Sequence, residues 1–286
     1  MKNIAFVTWS GEAALQEDDQ RAADALALRG HVVSAIPWDK PAEWHSFDAV
    51  VLRSTWNYHL ELDAFLEWLG ELERARTPLF NSASLVRWNT HKAYLLELEQ
   101  SGVLIPPTIL VRRAEVKTLS TILAERAWEK AVVKPAVSAN ALNTFRVTIG
   151  SALDAQQQFE HFVQSGDILV QALVSEIYDE GELSLVFLDG DFSHAIRKRP
   201  RTGDFLVQES RGGKWAPEQV DRRIVEKAAS ILRVADNHTL YARVDGILTQ
   251  NGFVLLELEL IEPSLFFGAH PGAEHRFAAA LEGRIC

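Results

Sequence analysis

GFVLLELELIEPSLFF, residues 252–267, combines an apolar run with two closely spaced carboxylates. The Asn-Gly pair at its start predicts a tight turn, and the apolar run ends at Pro263. Glu257 and Glu259 are two residues apart, so in a strand their side chains point to the same face. Like charges in an apolar setting repel each other unless cations compensate them. The stretch therefore predicts a strand that carries a charged site.

The chain of 286 residues is 47% hydrophobic and has a net charge of −10. This length accommodates two modest domains or one large one. The acidic balance argues against general nucleic-acid binding, which favours a basic surface. No run approaches the roughly 18 apolar residues of a membrane span, so no membrane association is expected. The single cysteine, Cys286, rules out internal disulfides and cysteine-based metal sites, which suits a cytoplasmic location.

Strand and helix patterns alternate over about residues 1–88. The apolar run 3–9 predicts a strand, whereas 17–30 and 61–75 have the spacing of amphipathic helices. Such alternation predicts an α/β unit, with a parallel sheet between helices.

After residue 88 the pattern becomes α+β. Residues 90–102 predict a helix, and strands joined by short turns follow it; the LDGD sequence at 188–191 is a hairpin signal. The last predicted helix covers 217–236, and the glycine-containing stretch 203–213 is interpreted as a closing loop.

A cluster of carboxylates is predicted around the final hairpin. Asp245 lies on the strand before the Asn-Gly turn, and Glu257 and Glu259 lie on the strand after it. If the two strands pair in register, the three side chains come close together. Clustered hard oxygen ligands suit Mg²⁺ or Mn²⁺, which would remove the repulsion. The alternative is a solvent-exposed strand face with alternating glutamates.

A second group of side chains is basic. Lys92 opens a helix, Lys134 ends the strand AVVKP, and the strand HAIRKRP ends with Arg197, Lys198 and Arg199. Beside the acidic cluster, these cations favour a site that clamps a polyphosphate. The polar loop SANALNT at 138–144 has the size to lay backbone N–H groups over phosphates, although it contains no glycine. For each basic residue, the alternative is an ordinary solvated surface position.

The stretch ILVQALVSEIYDEGELS, residues 168–184, supplies a third group. Gln171 ends an apolar strand, and Glu176 and Glu182 follow it. An amide at a strand end could bind an adenine edge, and a carboxylate beyond it could bind ribose hydroxyls. Alone, the same pattern describes an ordinary strand and turn.

In chain order, these motifs resemble the ATP-grasp superfamily, in its glutathione-synthetase-like and RimK-like branch. The resemblance covers about residues 89–265 and rests on VVKP, LVQALV, GELS, IRKRP and RVDGI followed by LLELELIEP. In style, the chain is most similar to the small-ligase group that contains the cyclo-ligase of D-cycloserine biosynthesis. The resemblance implies an ATP-grasp fold: a Rossmann-like pre-ATP-grasp domain at 1–88 and an ATP-grasp domain at 89–286, with a small lid at about 105–168.

The resemblance implies that ATP and Mg²⁺ are cofactors and assigns residues to the nucleotide. The phosphates would be contacted by Lys92 and Lys134, and the γ-phosphate by Arg197 or Lys198. Adenine would be held by Gln171 with the backbone around Leu173 and Val174, and ribose by Glu182 or, as the weaker candidate, Glu176.

For metal binding and catalysis, the resemblance assigns Asp245, Glu257 and Glu259 to two Mg²⁺ ions. Arg243 would stabilise an oxyanion. The family usually has Asn at the position of Glu259 and a glycine-rich loop at 138–144. This chain departs from both patterns, which puts the behaviour of the lid in doubt.

Substrate-binding candidates come from two loops. RSTWNYH at 53–59 follows a strand of the N-terminal unit, at the edge where ligands bind parallel sheets. Its candidates, with one more from the EPSL stretch, are Arg53, Ser54, Trp56, Tyr58 and Ser264. Packing or a plain turn is the alternative for each of them.

The resemblance implies an ATP-dependent carboxylate–amine ligase that acts through an acyl phosphate and releases ADP and phosphate. Its substrate would be a small amino-acid-like molecule, and cyclisation would follow if one molecule carried both groups. Homodimers are common in the family. The alternatives are a non-catalytic nucleotide-binding sensor or scaffold and a dinucleotide-dependent oxidoreductase. The oxidoreductase is disfavoured because TWSGEAALQ after the first strand lacks G-x-G-x-x-G.

Overall fold

The computed structural model describes residues 1–201, 204–207, 212–236 and 238–285. The described strands form three sheets, two with four strands and one with five. Among these residues, no helix combines the length and the apolar character needed to cross a membrane. Residues 203 and 208–211 of the stretch interpreted above as a closing loop lie outside the described residues, so this interpretation stays a prediction.

The N-terminal sheet is parallel, as the alternating pattern predicts, with the strand order β2-β1-β3-β4. Its strands are β1 (Asn3–Thr8), β2 (Val32–Pro37), β3 (Ala49–Leu52) and β4 (Leu79–Phe80). The helices of this part are α1 (Glu17–Ala27), α2 (Leu62–Ala75) and α3 (Ala83–Asn89). Alternate side chains of β1 enter different cores, because Ile4 packs on one face of the sheet and Val7 on the other.

The second sheet is antiparallel and has the strand order β5-β8-β6-β7. Its strands are β5 (Thr108–Val111), β6 (Lys130–Pro135), β7 (Phe145–Thr148) and β8 (Ile168–Ala172). The helices α5 (Leu119–Arg126) and α6 (Gln156–Ser165) pack on it around their own core. The domain limits at residue 88 and the lid at about 105–168 stay predictions.

The third sheet has the order β11-β10-β9-β12-β13 and is antiparallel throughout. Its strands are β9 (Glu182–Leu188), β10 (Asp191–Arg199), β11 (Lys214–Glu218), β12 (Tyr241–Thr249) and β13 (Gly252–Glu259). The helices α4 (Tyr94–Gln100) and α7 (Arg222–Ala235) contribute to its core. Asp189 and Gly190 both have positive φ, which confirms the hairpin predicted from LDGD.

The structure corrects the prediction of the last helix in two ways. Pro217 and Glu218 belong to β11, and α7 begins only after Asp221, whose carboxylate caps it. A further helix, α8 (Ala273–Ile285), was missed. Half of its buried residues are alanines, which give a weak apolar signal, and Phe277 and Leu281 become core residues by packing against the N-terminal part.

Residues 260–267, called the crossing segment here, leave β13 and pass between the third sheet and the N-terminal part. They form no strand, yet several of their backbone groups are buried. Asn81 donates to the Leu260 carbonyl at 2.8 Å, and the Tyr241 hydroxyl lies 2.8 Å from the Ile261 carbonyl. Side chains therefore replace the strand partners that this backbone lacks.

Three consecutive carbonyls of the crossing segment accept hydrogen bonds from three different parts of the chain. Arg53, after β3, donates to Pro263 at 3.0 Å, and Arg243, in β12, donates to Ser264 at 3.0 Å. His194, in β10, lies 2.8 Å from the Leu265 carbonyl through Nε2. The segment is thus held from both sides.

Arg53 is itself held by a buried ion pair. Its Nε donates to Asp19 at 2.8 Å, and the Ser54 hydroxyl donates to the other Asp19 oxygen at 2.7 Å. Burial opposes the charge on Arg53, but Asp19 outweighs this effect and raises the pKa of Arg53. Removing one partner of such a pair leaves a buried charge without compensation.

Asp19→Asn is expected to lower the free energy of unfolding by about 3–5 kcal/mol, because the Arg53 guanidinium would stay buried without its main counter-charge. Arg21→Ala is the control. Arg21 forms a pair with Glu17 on the surface of the same helix at 2.9 Å, and its loss should cost at most about 0.5 kcal/mol. Urea unfolding of both variants measures the difference. Equal losses would mean that the buried pair does not stabilise the fold.

His194 predicts a dependence of stability on pH. The Leu265 carbonyl can only accept, so Nε2 of His194 carries the hydrogen, and Nδ1 accepts from the Ser193 hydroxyl at 2.8 Å. Burial lowers the pKa of His194 from 6.5 to about 4. The unfolded chain therefore binds a proton that the folded chain rejects, and stability falls as the pH drops from about 6.5 towards 4.

His194→Gln keeps a donor near Leu265 but cannot titrate. Between about pH 6 and pH 4.5, the unfolding free energy of the parent protein should fall more steeply than that of the variant, by up to about 1.4 kcal/mol per pH unit. Denaturant unfolding across this range provides the measurement, and His45→Gln, at an exposed side chain, is the control. Parallel curves for the parent and His194→Gln would contradict the prediction.

Candidate active site

One cavity of about 630 Å³ is lined by residues from the two antiparallel sheets and by Trp56, Tyr58 and Asn89 of the N-terminal part. Most of the side chains singled out from the sequence meet there. Those that line it are Trp56, Tyr58, Lys92, Lys134, Gln171, Leu173, Val174, Glu182, Lys198, Arg243, Asp245, Glu257, Glu259 and Ser264. A ligand in this cavity would therefore contact both the N-terminal part and the two antiparallel sheets.

The hairpin formed by β12 and β13 has the register that the carboxylate cluster requires. Asp245 lies opposite Glu257, and Arg243 lies opposite Glu259. The register shifts after Asp245, where Gly246 follows. A Cβ at Gly246 would lie 2.4 Å from the Phe253 ring and 2.6 Å from the Val254 carbonyl oxygen, so only glycine fits. The predicted juxtaposition of the three carboxylates on one hairpin is present.

Each of these carboxylates has a cationic partner. Glu257 lies 3.2 Å from Lys92, and Asp245 accepts from Arg243 at 3.0 Å. Arg243 also pairs with Glu259. No three His, Cys, Asp or Glu side chains of the described part converge as a metal-ligand set. The metal role stays a prediction, since these side chains would have to exchange protein cations for a metal ion.

The charges explain how adjacent carboxylates are tolerated. Burial opposes ionisation of Asp245, but Arg243 and Lys198 outweigh it and lower its pKa to about 2. Burial also opposes ionisation of Glu257, yet Lys92 and Lys134 lower its pKa. Burial raises the pKa of Glu259, and Arg243 counteracts this effect only in part. The repulsion suggested by the sequence is thus offset at Glu257 and persists at Glu259.

Lys198 links the hairpin to β9. Its ammonium lies 3.0 Å from Glu182 and 3.3 Å from Asp245. Burial and Arg243 would lower the pKa of Lys198, but the carboxylates around it prevail and raise it. Lys198 therefore stays charged at one wall of the cavity.

The end of β8 forms another wall. The Gln171 amide donates to the Thr108 hydroxyl at 2.9 Å, and the Leu173 N–H donates to the Lys130 carbonyl at 3.1 Å. Apolar side chains also line the cavity, namely Val132, Leu173, Val174, Ile177, Ile247 and Leu256. These flat, apolar surroundings with backbone groups at the edge are suited to a heteroaromatic ring.

Two lysines bound the cavity near the loop 138–144. Lys92 donates to the Ser138 carbonyl at 2.5 Å. Burial lowers the pKa of Lys134 to about 8, against the opposing effect of Glu257. In the loop, Asn140, Ala141 and Asn143 have φ values of 53°, 53° and 58°. The chain thus adopts left-handed conformations there without glycine, and asparagine accommodates them at low cost.

Four predicted site residues are not brought into the cavity. Arg53 and Ser54 are buried around Asp19, where they support the crossing segment. Glu176 is half-buried and accepts from the Ser175 hydroxyl. Arg197 is the residue before Lys198 on β10. Successive side chains of a strand alternate, so Arg197 faces the other side of the sheet and pairs with Glu218 at 3.2 Å. These residues were predicted from their places near strand ends, and that information does not show whether a side chain points towards the cavity.

Sequence reasoning assigned no role to three residues that line the cavity: Trp215, Glu262 and Phe266. The Phe266 ring lies 5.6 Å from the Arg243 guanidinium carbon and 5.7 Å from the Lys198 ammonium. It also packs edge-on against Trp215 at 5.2 Å. A local signal for these contacts is lacking, because the aromatic rings and the cations are far apart in the chain.

Comparisons with known proteins agree with this geometry. The family model of the N-terminal domain of D-cycloserine synthetase DcsG matches residues 4–81. The cycloserine biosynthesis protein DcsG of Streptomyces lavendulae is 30% identical over 304 residues, which cover 99% of this chain and 98% of that protein.

Solved structures show the same relationship. The crystal structure of D-cycloserine synthetase DcsG has a TM-score of 0.88 at 27% identity and covers 99% of this chain and 100% of its own. The ATP-grasp ligase PsnB, complexed with a phosphomimetic variant of a minimal precursor, Mg and ADP, has a TM-score of 0.70 at 15% identity. The two chains are covered to 99% and 98%, and this likeness shows the fold alone.

The resemblance inferred from the sequence motifs is thereby confirmed, and the fold combines α/β and α+β parts as expected. This chain belongs to the DcsG family of ATP-grasp proteins and is an ADP-forming carbon–nitrogen ligase.

Proposed function

We propose that the protein joins a carboxylate to an amine of a small amino-acid-like substrate, using ATP and passing through an acyl phosphate. The observation that carries the proposal is the paired arrangement of cations and carboxylates on the cavity wall. Arg243 and Asp245 face Glu259 and Glu257 across one hairpin, and Lys92 and Lys198 complete the pairs. Such a wall suits a polyphosphate, whose charge lysines and arginines bind directly.

In the proposed complex, the adenine lies against the apolar wall at the end of β8. The backbone at Leu173 and Val174 would contact the adenine edge. Gln171 would line the same wall, and its hydrogen bond to Thr108 would hold its amide in place. Glu182 lines the cavity and would bind ribose. Glu176, which does not line the cavity, is the weaker candidate. The phosphates would then extend towards Lys134, Lys92 and Lys198.

The donor set fits Mg²⁺, since Asp245, Glu257 and Glu259 supply hard carboxylate oxygens and line the same cavity as the three lysines. These side chains would hold Mg²⁺ ions between the protein and the phosphates. When bound, Mg²⁺ supplies neutralisation of phosphate charge and orientation of the γ-phosphoryl group. The ligase PsnB, which shares the fold, was solved in complex with Mg and ADP, and this supports the assignment.

The proposed reaction has two steps. A substrate carboxylate oxygen forms a bond to the γ-phosphorus as the bond to the β-phosphate oxygen breaks, and ADP leaves. The amine then attacks the acyl carbon, phosphate leaves, and the nitrogen loses a proton. Lys92, Lys134 and Lys198 would stabilise the phosphoryl charge in the first step, and Arg243 would stabilise the oxyanion in the second.

The substrate would occupy the end of the cavity formed by Trp56, Tyr58 and Ser264. If one molecule carries both the carboxylate and the amine, the same chemistry closes a ring. The full-length relative is a cycloserine biosynthesis protein, which supports a small cyclic product for this chain as well.

A product analysis tests the proposal. The protein is incubated with ATP, Mg²⁺ and a panel of amino acids and dipeptides, and the nucleotides are separated by chromatography. The expected result is ADP and one phosphate for each bond formed. AMP and pyrophosphate, which adenylation would release, would overturn the acyl phosphate route.

Glu257→Gln is expected to reduce ADP formation at least about 100-fold and to leave the fold intact, because it removes a carboxylate that would hold metal and orient Lys92. Glu71→Gln removes one charge from the exposed face of α2 and should have no effect. Initial rates with saturating Mg²⁺, together with circular dichroism, measure the two variants. Near-normal turnover of Glu257→Gln would remove its assignment as a metal ligand.

Lys134→Met is expected to weaken binding of a non-hydrolysable ATP analogue by about 1–3 kcal/mol, or about 5- to 150-fold, the usual scale for a lost charge-assisted hydrogen bond. Lys130→Met is the matched control, since Lys130 starts the same strand but is exposed and lies outside the cavity. Calorimetry gives both affinities. Equal affinities for the two variants would place Lys134 among ordinary surface lysines.

A further inference from the structure

Among the carboxylates that line the cavity, Glu262 differs in its partners. Glu182, Asp245, Glu257 and Glu259 each lie beside a lysine or arginine of the described residues. Glu262 forms no ion pair or side-chain hydrogen bond with any residue that the structure describes. Among the described residues, four of these five carboxylates therefore have a salt-bridge partner and Glu262 has none.

The backbone fixes Glu262 at this place. It belongs to the crossing segment, where the preceding carbonyl of Ile261 is bound by Tyr241 and the following carbonyl of Pro263 is bound by Arg53. Both anchors are buried. The backbone of Glu262 is thus held between the N-terminal part and the third sheet, and its half-buried side chain lines the cavity.

The environment of Glu262 makes an unpaired charge unfavourable. Burial, and then the charge of Glu259, raises the pKa of Glu262 to about 8, and the opposing charge of Lys92 offsets this only in part. A cation supplied by a ligand would relieve both effects, because it offsets the lost hydration and the repulsion between the glutamates.

Two aromatic side chains of the N-terminal part line the same cavity. Tyr58 is 4% exposed, and its hydroxyl has no hydrogen-bond partner among the described residues. Tyr58 and Glu262 line the same cavity, and burial, followed by the charge of Glu262, raises the pKa of Tyr58. Trp56 is half-buried and lines this cavity as well. Aromatic faces attract organic cations, so the surroundings favour an ammonium over a metal ion.

We propose that Glu262 binds the protonated amine of the substrate, with Trp56 and Tyr58 forming the adjacent walls. The inference rests on the proposed function and specifies its substrate class: molecules that carry a primary ammonium group near the carboxylate that is activated. A site with a buried charged partner rejects analogues that lack the matching group, because the partner is then left unpaired. Glu262 is thus a specificity-determining residue.

The experiment compares amines with analogues in which hydrogen replaces the amine. The probes are D-alanine with propionate, D-serine with 3-hydroxypropionate, and D-cycloserine as a cyclic amine. Dissociation constants are measured by ligand-detected NMR titration on the full chain with ADP and Mg²⁺ present. The parent protein should bind at least one amine of the two pairs tenfold or more tightly than its deaminated analogue.

Glu262→Gln should bring this ratio close to one and weaken any D-cycloserine binding, while the affinity for ADP stays within about twofold. Glu262→Asp keeps the charge on a shorter side chain and should retain part of the discrimination, which a merely structural role would not produce. Glu71→Gln, with its charge removed from an exposed helix face, should behave like the parent protein.

Two results would overturn the proposal. One is a Glu262→Gln variant that keeps the parent protein's ratio of affinities for an amine and its deaminated analogue. If only Glu262→Asp folds, the corresponding result is a variant whose ratio is close to one. The other is a parent protein that binds no amine better than its deaminated analogue. ADP formation is scored separately: amine selectivity without ADP formation would refute the proposed reaction but keep the role of Glu262. ADP formation without amine selectivity would support the proposed reaction and refute the role of Glu262.

Discussion

The crossing segment must pass through the interior of the molecule without belonging to any strand, and much of the structure depends on how its backbone is satisfied. A buried carbonyl without a partner is costly, so each buried polar group of this backbone needs a donor or acceptor from elsewhere. Arg53, Arg243 and His194 bind three consecutive carbonyls, and Asp18 accepts from the N–H of Phe267 at 2.6 Å. The N-terminal sheet and the third sheet are thereby joined through one stretch of chain.

This arrangement connects folding with the candidate chemistry. Arg243 donates to the Ser264 carbonyl and also pairs with Asp245 and Glu259, so one guanidinium serves both the crossing segment and the acidic hairpin. A change in the segment would therefore alter the charges at the cavity. The buried pair of Arg53 and Asp19 lies outside the cavity but holds the neighbouring Pro263 carbonyl. Stability and site geometry are not separable here.

Compensation of charge is the second constraint. Acidic side chains are abundant in the cavity, yet most are neutralised by lysines and arginines that come from other strands and helices. When a polyphosphate binds with metal ions, the lysines and arginines would pair with phosphate and the carboxylates with metal. Each buried charge would then still have a partner of opposite charge. Glu262 is the place where such an internal partner is missing among the described residues, which is why it points to the substrate and not to the nucleotide.

Sequence alone determined the alternation of strands and helices in the N-terminal part, the hairpin turns and the carboxylates of the last hairpin. These features depend on residues close together in the chain, where periodicity and turn chemistry act directly. Lys92, Lys134 and Gln171 were singled out by their places at a helix start and at strand ends, and the family resemblance assigned them to ATP. The structure brings these three to one cavity with Asp245 and Glu257.

Only the tertiary structure decided the rest. Arg197 and Lys198 are neighbours in sequence, but the pleat of β10 sends one to Glu218 and the other to the cavity. The buried face of the helix α8 is defined only by its packing against the N-terminal part. The role of Arg53 depends on a carbonyl 210 positions away. Local patterns determine which element forms, whereas the environment of a side chain is set by distant parts of the chain that meet only on folding.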